Sequence, residues 1–150
     1  MQQGDVVEEF TAIDQTGREV SLSDLIEEGP IVLFFYLKAM TGGCTAKSCH
    51  FRDLRSEFEE HGARAVGISA DSVERQAKFD RVNDLDLLLL SDPDRTVARL
   101  FGVKRPGPLW NKRMTFVIDR DRRVLDVIGS EMNMEIHADR ALEALEAVRV

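Results

Sequence analysis

Cys44 is the residue with the clearest potential for chemistry, because of the elements that the sequence predicts around it. A continuous apolar run over residues 31–36 precedes it and is typical of a central strand buried on both faces. The helical spacing of apolar residues over 45–60 predicts a helix, and Cys44 would then lie in its first turn. The start of a helix supplies partial positive charge and unpaired backbone N–H groups. Both favour a thiolate over a thiol, and a thiolate is nucleophilic near neutral pH.

Two other polar side chains lie close to Cys44 in the sequence. Thr41 comes three residues earlier, where its hydroxyl can reach the sulfur or a bound peroxide, although taken alone it is better explained as a loop or cap residue. Cys49 comes five residues later on the same predicted helix, either as a second reactive thiol or as an ordinary buried cysteine. Buried cysteines are common, so the inert interpretation stays open for Cys44 as well. Two cysteines do not form a disulfide scaffold in a chain of this size.

The elements that position these residues alternate between strands and helices. A hairpin is predicted at the N-terminus, with strands over 10–14 and 18–22. Strands interleaved with helices predict an α/β fold. The further strands are expected over 65–69, 87–90, 114–118 and 124–128, and the further helices after Ser72, from Asp92-Pro93 and over 138–148.

Two of these helices carry more detailed expectations. Ser72 is a suitable N-cap, and the helix after it is expected to turn Val73, Ala77 and Val82 towards the core. The next helix is predicted to have Pro93 as its first residue. Its inward residues are expected to be Val97, Leu100 and Phe101.

Composition limits the class of protein. A length of 150 residues predicts one domain, residues 1–150. The net charge of −7, from 20 basic and 27 acidic residues, disfavours nucleic acid or an anionic membrane as a partner. The start of the chain lacks the basic and apolar stretches of a secretory signal, and the longest apolar run is too short to cross a bilayer. A cytoplasmic location is therefore expected.

Several motifs together resemble the peroxiredoxins, in particular the peroxiredoxin Q or bacterioferritin comigratory protein group. The similarity extends over essentially the whole chain. The motifs that carry it are Phe34-Phe35-Tyr36, Thr41-x-x-Cys44, Cys49-x-Phe51-Arg52-Asp53 and Arg113-x-Thr115-Phe116.

This resemblance implies a thioredoxin-like sandwich with a central mixed β-sheet and an N-terminal β-hairpin. It also implies a thiol-dependent peroxidase for hydrogen peroxide and organic hydroperoxides, with no cofactor or metal. Cys44 corresponds to the cysteine that attacks the peroxide. Thr41 corresponds to the threonine that hydrogen-bonds the peroxide, and Arg113 to the arginine that pairs with the thiolate and the peroxide oxygens. Cys49 corresponds to the resolving cysteine that many, but not all, members have.

The family further implies recycling by a thioredoxin-like protein and a monomer or weak dimer. Five residues of ideal helix separate two Cα atoms by about 8 to 9 Å. A disulfide needs a Cα separation of about 4.4 to 6.8 Å, so a Cys44–Cys49 bridge should require the first turns of the helix to unwind.

Among the positions where the sequence departs from the family pattern, Leu37 and Gly42 replace motif prolines. Neither change removes a reacting atom, but both predict a less preorganised approach to Cys44 and slower chemistry.

Two other functions remain open. One is a thiol–disulfide oxidoreductase, although that chemistry usually uses Cys-x-x-Cys. The other is a redox-sensing or interaction protein with little peroxidase turnover. A zinc site from Cys44, Cys49, His50 and either His61 or His137 is also conceivable, although the spacing matches no familiar zinc motif.

Overall fold

A computed structural model describes residues 1–36, 42–103, 114–129 and 136–148. The side chains of residues 42–44, 46, 47 and 148 lie outside this description. The strands of the described residues are β1 (Thr11–Asp14), β2 (Glu19–Ser21), β3 (Ile31–Phe35), β4 (Arg64–Ser69), β5 (Leu88–Ser91), β6 (Met114–Ile118) and β7 (Val124–Gly129). The helices are α1 (Leu22–Ile26), α2 (Gly42–Asp53), α3 (Arg55–Glu60), α4 (Val73–Asn83), α5 (Thr96–Leu100) and α6 (Ile136–Val148).

The seven strands form one mixed sheet in the order β2-β1-β5-β4-β3-β6-β7. The three inner strands β3, β4 and β5 run parallel, and the remaining pairings are antiparallel. Strands β1 and β2 form the predicted N-terminal hairpin. The mixed sheet and its hairpin confirm the predicted α/β class.

Strand β3 forms the middle of the core, as its continuous apolar sequence predicted. Alternate side chains point to opposite faces of a strand. Ile31, Leu33 and Phe35 therefore join one apolar cluster, which includes side chains of α1 and α5. Val32 and Phe34 join the other cluster, beneath α2, α3, α4 and α6. All five of these side chains are fully buried.

The helix after β3 differs from its predicted extent in two ways. It begins at Gly42 rather than Thr45, so both glycines lie inside the helix rather than in a flexible approach to it. It also ends at Asp53, and a separate helix α3 follows after Leu54, whose ψ of 11° departs from helical geometry. No glycine or proline marks this interruption, which explains why the periodic apolar pattern predicted a single helix.

The prediction for residues 18–22 missed a helix. Strand β2 ends at Ser21, and α1 begins at Leu22. The Ser21 hydroxyl accepts a hydrogen bond from the Asp24 backbone N–H at 3.1 Å, and the Asp24 carboxylate accepts one from the Ser21 N–H at 3.2 Å. This reciprocal capping box was readable from the sequence as Ser-x-x-Asp.

The prediction that Pro93 opens a helix was wrong, because α5 begins at Thr96. The buried Asp92 carboxylate instead accepts hydrogen bonds from the backbone N–H groups of Val97 and Ala98, at 3.2 and 3.0 Å. Asp92 therefore caps α5, although it precedes the first residue of that helix by four positions. Val97 and Phe101 are buried as expected, whereas Leu100 is only partly buried.

Helix α4 confirms the predicted cap and corrects the predicted inner face. The Ser72 hydroxyl accepts a hydrogen bond from the Arg75 backbone N–H at 3.2 Å. Val82, however, is 58% exposed, and the residues that α4 buries are Gln76 and Phe79. A polar residue occupies the inner face because its amide has buried partners there.

Candidate active site around Cys44 and Cys49

Cys44 lies where the sequence placed it, at the third position of a helix that follows the central strand. Strand β3 ends at Phe35 and α2 begins at Gly42. The first turn of α2 contains no acidic residue, so no carboxylate there opposes a thiolate. Backbone N–H groups in a first helical turn have no partner within the helix, and together with the helix dipole they favour a negatively charged sulfur. This position therefore suits a nucleophilic cysteine.

The two predicted partners of Cys44 lie outside the described residues. Thr41 immediately precedes α2, and Arg113 immediately precedes β6. The sheet register pairs Phe34 of β3 with Thr115 of β6. Because these two strands are antiparallel, the last residue of β3 and the first residue of β6 lie at one edge of the sheet.

Cys49 lies on the same continuous helix as Cys44 and carries a free thiol. It is partly buried and packs against the apolar cluster beneath α2. Arg52 lies nearby: its hydrogen bond to Asp53 is the main cause of a raised guanidinium pKa, and the charge interaction with Cys49 acts in the same direction. Because five residues of intact helix separate Cys44 from Cys49, the helical form cannot contain a bridge between them.

Ser48 is a further residue of α2 that sequence reasoning missed. Its side chain is fully buried, and within the part of the chain that the structure describes its Oγ has no hydrogen-bond partner. Ser48 comes four residues after Cys44, a spacing that puts both residues on one face of a helix. The spacing was visible in the sequence, but the burial was not.

Aromatic packing holds the second half of α2 against the sheet. The rings of Phe34 on β3 and Phe51 on α2 are stacked, with centroids 4.2 Å apart and an interplanar angle of 8°. Phe51 also stacks on Phe58 of α3, at 5.8 Å. Gly67 on β4 makes room for this arrangement, since a Cβ there would lie 2.9 Å from the end of the Phe34 ring.

A buried polar network occupies the carboxyl edge of the three parallel strands. Tyr36, directly after β3, donates a hydrogen bond from its hydroxyl to the side-chain oxygen of Gln76. The Gln76 amide donates to the Leu90 carbonyl at 2.7 Å and to the Ser69 hydroxyl at 3.2 Å. Ser69 in turn donates to the Asp71 carboxylate at 2.7 Å. The network fixes the chain at the point where it leaves β3 towards residues 37–41.

A second buried polar contact lies on the other side of β3. The Thr115 hydroxyl and the His137 Nδ1 are joined by a hydrogen bond of 2.8 Å, and both side chains are fully buried. Thr115 is on β6, two residues after Arg113, and His137 is the second residue of α6. The contact therefore ties α6 to the strand that follows Arg113.

Helices α2 and α6 also meet at the surface. The His50 Nε2 lies 3.0 Å from the Asp139 carboxylate. Among the described side chains, no group of three or more histidine, cysteine or acidic residues could hold a metal ion. The zinc interpretation depended on Cys44, whose side chain lies outside the described set.

One groove formed by described residues lies away from these features. It has a volume of about 800 Å³ and runs along the amino ends of β3, β4 and β5, opposite the edge that leads to α2. Charged side chains such as Arg18, Glu27, Arg64 and Asp86 line it. Its position does not suit the chemistry of Cys44.

No helix among the described residues has the length and apolar character needed to cross a membrane.

A mixed sheet with an N-terminal hairpin, and a cysteine in the first turn of the helix after one of its inner strands, suit a thiol-dependent redox enzyme of thioredoxin-like fold. The chain belongs to the AhpC/TSA family, whose model matches residues 3–127. A protein of Mycobacterium tuberculosis that is named as a peroxiredoxin is 57% identical over 152 residues, and the match covers 99% of each chain. The chain is thus a peroxiredoxin, and the predicted family is confirmed.

Two solved structures extend the comparison. The crystal structure of peroxidoxin BcpB from Mycobacterium tuberculosis matches with a TM-score of 0.97 and 55% identity, over 100% of this chain and 99% of that one. The bacterioferritin comigratory protein of Xanthomonas campestris, described with alkyl peroxide reduction activity, matches with a TM-score of 0.87 and 27% identity. That match covers 96% of this chain and 99% of the other. The thioredoxin-like fold predicted from the sequence is confirmed.

Proposed function

We propose that the protein reduces hydrogen peroxide and organic hydroperoxides with Cys44 as the attacking residue. The observation that carries this proposal is the place of Cys44 at the third position of α2, directly beyond the buried central strand. The relative from Xanthomonas campestris, which has alkyl peroxide reduction activity, supports the inclusion of organic hydroperoxides.

The first step transfers one oxygen atom. The Cys44 thiolate attacks the terminal peroxide oxygen, which keeps its hydrogen; a sulfur–oxygen bond forms, the O–O bond breaks, and the departing oxygen takes up a proton from solvent and leaves as water or an alcohol. Negative charge grows on that departing oxygen, so hydrogen-bond donors aimed at it lower the barrier. In this proposal Thr41, Arg113 and the backbone N–H of Cys44 are those donors. The product is a sulfenic acid on Cys44.

Cys49 is proposed to resolve this sulfenic acid as an intramolecular disulfide. Its free thiol and its position on the same helix support the role, and the distance along intact α2 means that unwinding must come first. A thioredoxin-like dithiol protein would then reduce the disulfide by exchange.

The decisive experiment is the mass of the 44–49 region after the reduced protein meets one equivalent of hydrogen peroxide. We expect the loss of two hydrogens, and we expect Cys44→Ser to abolish it. A gain of oxygen on Cys44 without a bridge would remove Cys49 from the cycle. An unmodified Cys44 after prolonged exposure would contradict the peroxidase proposal and favour a redox-sensing role. Reduction of a disulfide substrate without peroxide would favour an oxidoreductase.

We also propose a single-domain monomer or weak dimer that acts in the cytoplasm without nucleic acid or membrane partners. The net charge of −7 supports the absence of anionic partners, because like charges repel. Sedimentation of the purified protein over a range of concentrations tests the oligomeric state. A stable higher oligomer would contradict it.

A further inference from the structure

Ser48 is buried in a way that costs free energy. Serine inside a helix usually points to solvent or donates to the carbonyl four residues earlier. Ser48 does neither: it is fully buried, and its hydroxyl has no partner in the described part of the chain. A buried hydroxyl without a hydrogen bond destabilises the state that buries it, and such groups are few in native proteins.

The location of Ser48 determines which conformational change this free-energy cost affects. The residue lies between Cys44 and Cys49, inside the segment that must leave the helical form before the two sulfurs can meet. Beyond it, Phe51 is fully buried and stacked on Phe34 of β3, so aromatic packing holds α2 from a point just after Cys49. In the unwound segment, water can hydrogen-bond the Ser48 hydroxyl. The unpaired hydroxyl therefore raises the free energy of the helical form and leaves that of the unwound form unchanged.

We propose that Ser48 lowers the free energy needed to unwind the start of α2, and so sets how often Cys49 comes within reach of Cys44. The inference rests on the proposed two-cysteine cycle for its role in turnover. Ser48 is then a positioning residue, which touches none of the reacting atoms. It acts on the balance between helical and unwound α2.

The step that depends on this balance is the formation of the disulfide. The Cys49 sulfur attacks the sulfenic sulfur of Cys44, an S–S bond forms and the S–O bond breaks. The hydroxyl leaves as water with the proton from the Cys49 thiol. The Cys44 sulfur is reduced and the Cys49 sulfur is oxidised, so no outside electron donor takes part. If unwinding is slow, the sulfenic acid persists and a second peroxide can oxidise it to the sulfinic acid.

The first test needs no peroxide. Ser48→Ala removes the hydroxyl with almost no change in volume, and we expect hydrogen exchange at the backbone amides of residues 46–53 to become about tenfold slower. We expect exchange at the same amides to be faster in Ser48→Gly than in Ser48→Ala, because glycine inside a helix destabilises the helix. Ser56→Ala, an exposed serine on α3, is the matched control and should leave exchange in α2 unchanged.

The second test follows the reaction with hydrogen peroxide by rapid quenching and mass measurement. In Ser48→Ala, we expect the sulfenic acid to form at the wild-type rate. We expect the disulfide to form about tenfold more slowly and the sulfinic acid fraction to rise. In a Cys49→Ser background, Ser48→Ala should leave the rate of sulfinic acid formation unchanged.

These two tests separate the two proposals. Failure of wild-type Cys44 to react with peroxide would overturn the proposed function, while the exchange measurement would still decide the role of Ser48. Unchanged or faster exchange of α2 in Ser48→Ala would overturn the role of Ser48. Equal slowing throughout β4 and α2 would also overturn it, because that result indicates a general gain in stability.

Discussion

The hydrogen bond between Thr115 and His137 holds two elements together at the edge of the sheet that borders the site. Thr115 follows Arg113 by two residues, so its position on β6 determines where the strand begins relative to β3. A buried hydrogen bond between two side chains restrains both of them, because leaving either group without a partner is unfavourable. The contact thus contributes to the placement of the start of β6 against α6.

Thr115→Val tests this contribution, because valine keeps the shape of threonine and lacks the hydroxyl. We expect the free energy of unfolding to fall by about 1 to 3 kcal/mol, since a buried partner of His137 is lost. Urea denaturation measures the change. Thr11→Val, at an exposed position of β1, is the matched control and is expected to stay within about 0.5 kcal/mol of the wild type. An equal loss in both variants would contradict the assigned role.

The position of Cys44 at the start of a helix could be predicted, whereas the buried polar contacts of the neighbouring elements could not. The prediction used local signals, namely an apolar strand followed by a helical pattern. The inward turn of Gln76 depends on Tyr36, a residue 40 positions away in the chain, and no local pattern reveals that pairing. The same is true of Ser48: only the packed sheet and helices reveal that its Oγ has no hydrogen-bond partner among the described residues. The roles of Thr41 and Arg113 rest on family resemblance and stay predictions.

The contact between β4, β3 and α2 depends on one missing side chain. Gly67 is flanked on its face of the sheet by Phe34 and Leu89, and a Cβ at this position would lie within 3.0 Å of both side chains. The ring of Phe34 passes this position and stacks on Phe51. The second half of α2 therefore rests on a surface that a larger residue at position 67 would displace.

Gly67→Ala is expected to destabilise the protein by about 1 to 3 kcal/mol through overpacking. The neighbours are ring and branched carbons of the core, which have little room to move. Gly129→Ala is the matched control on β7, where a Cβ would meet the flexible end of Met114 and the glycine is exposed. We expect the control to cost less than about 1 kcal/mol in the same urea denaturation experiment. A larger loss in the control than in Gly67→Ala would refute this explanation.

The main elements could be predicted from the sequence because their patterns are strong. Strand β6 was predicted with its observed bounds, and β3, β4, β5 and β7 within one residue. The errors occurred where one side chain overrides the pattern. Asp92 caps α5 from outside the helix, Ser21 starts α1 where a strand was expected, and Leu54 interrupts a continuous apolar period.

Carboxyl groups with lowered pKa values cluster around the N-terminal hairpin, away from α2. Burial on its own raises the pKa of Asp14, but hydrogen bonds from Thr16 and Arg18 outweigh it and leave the pKa below the ordinary value of 3.8. A hydrogen bond from Ser23 lowers the pKa of Glu9, and one from the Ser21 backbone lowers that of Asp24. Each of these three carboxyl groups therefore stabilises the folded state when it is ionised.

The sign of the pH effect follows from these lowered values. A carboxyl group whose pKa is lower in the folded state contributes its full stability above the unfolded pKa, and loses it as the pH falls through the folded pKa. We therefore expect the free energy of unfolding to decline below about pH 4, and Asp14→Asn to make that decline shallower. Urea denaturation at a series of pH values measures it. Asp94→Asn, at an exposed carboxyl, is the control, and an equally shallow curve for that variant would argue against Asp14.

Two fixed aromatic side chains bracket the part of the chain that contains both cysteines. Tyr36 is held by Gln76 on one side, and Phe51 is stacked on Phe34 on the other. A rearrangement between these two points moves Cys49 off the edge of its apolar cluster but keeps the buried aromatic side chains in place. The heat capacity change of unfolding depends on the apolar surface that becomes exposed, so it should be nearly the same for the dithiol and the disulfide forms. Oxidation would then alter the outer contour of the protein while the heat capacity change of unfolding stays close to that of the reduced form.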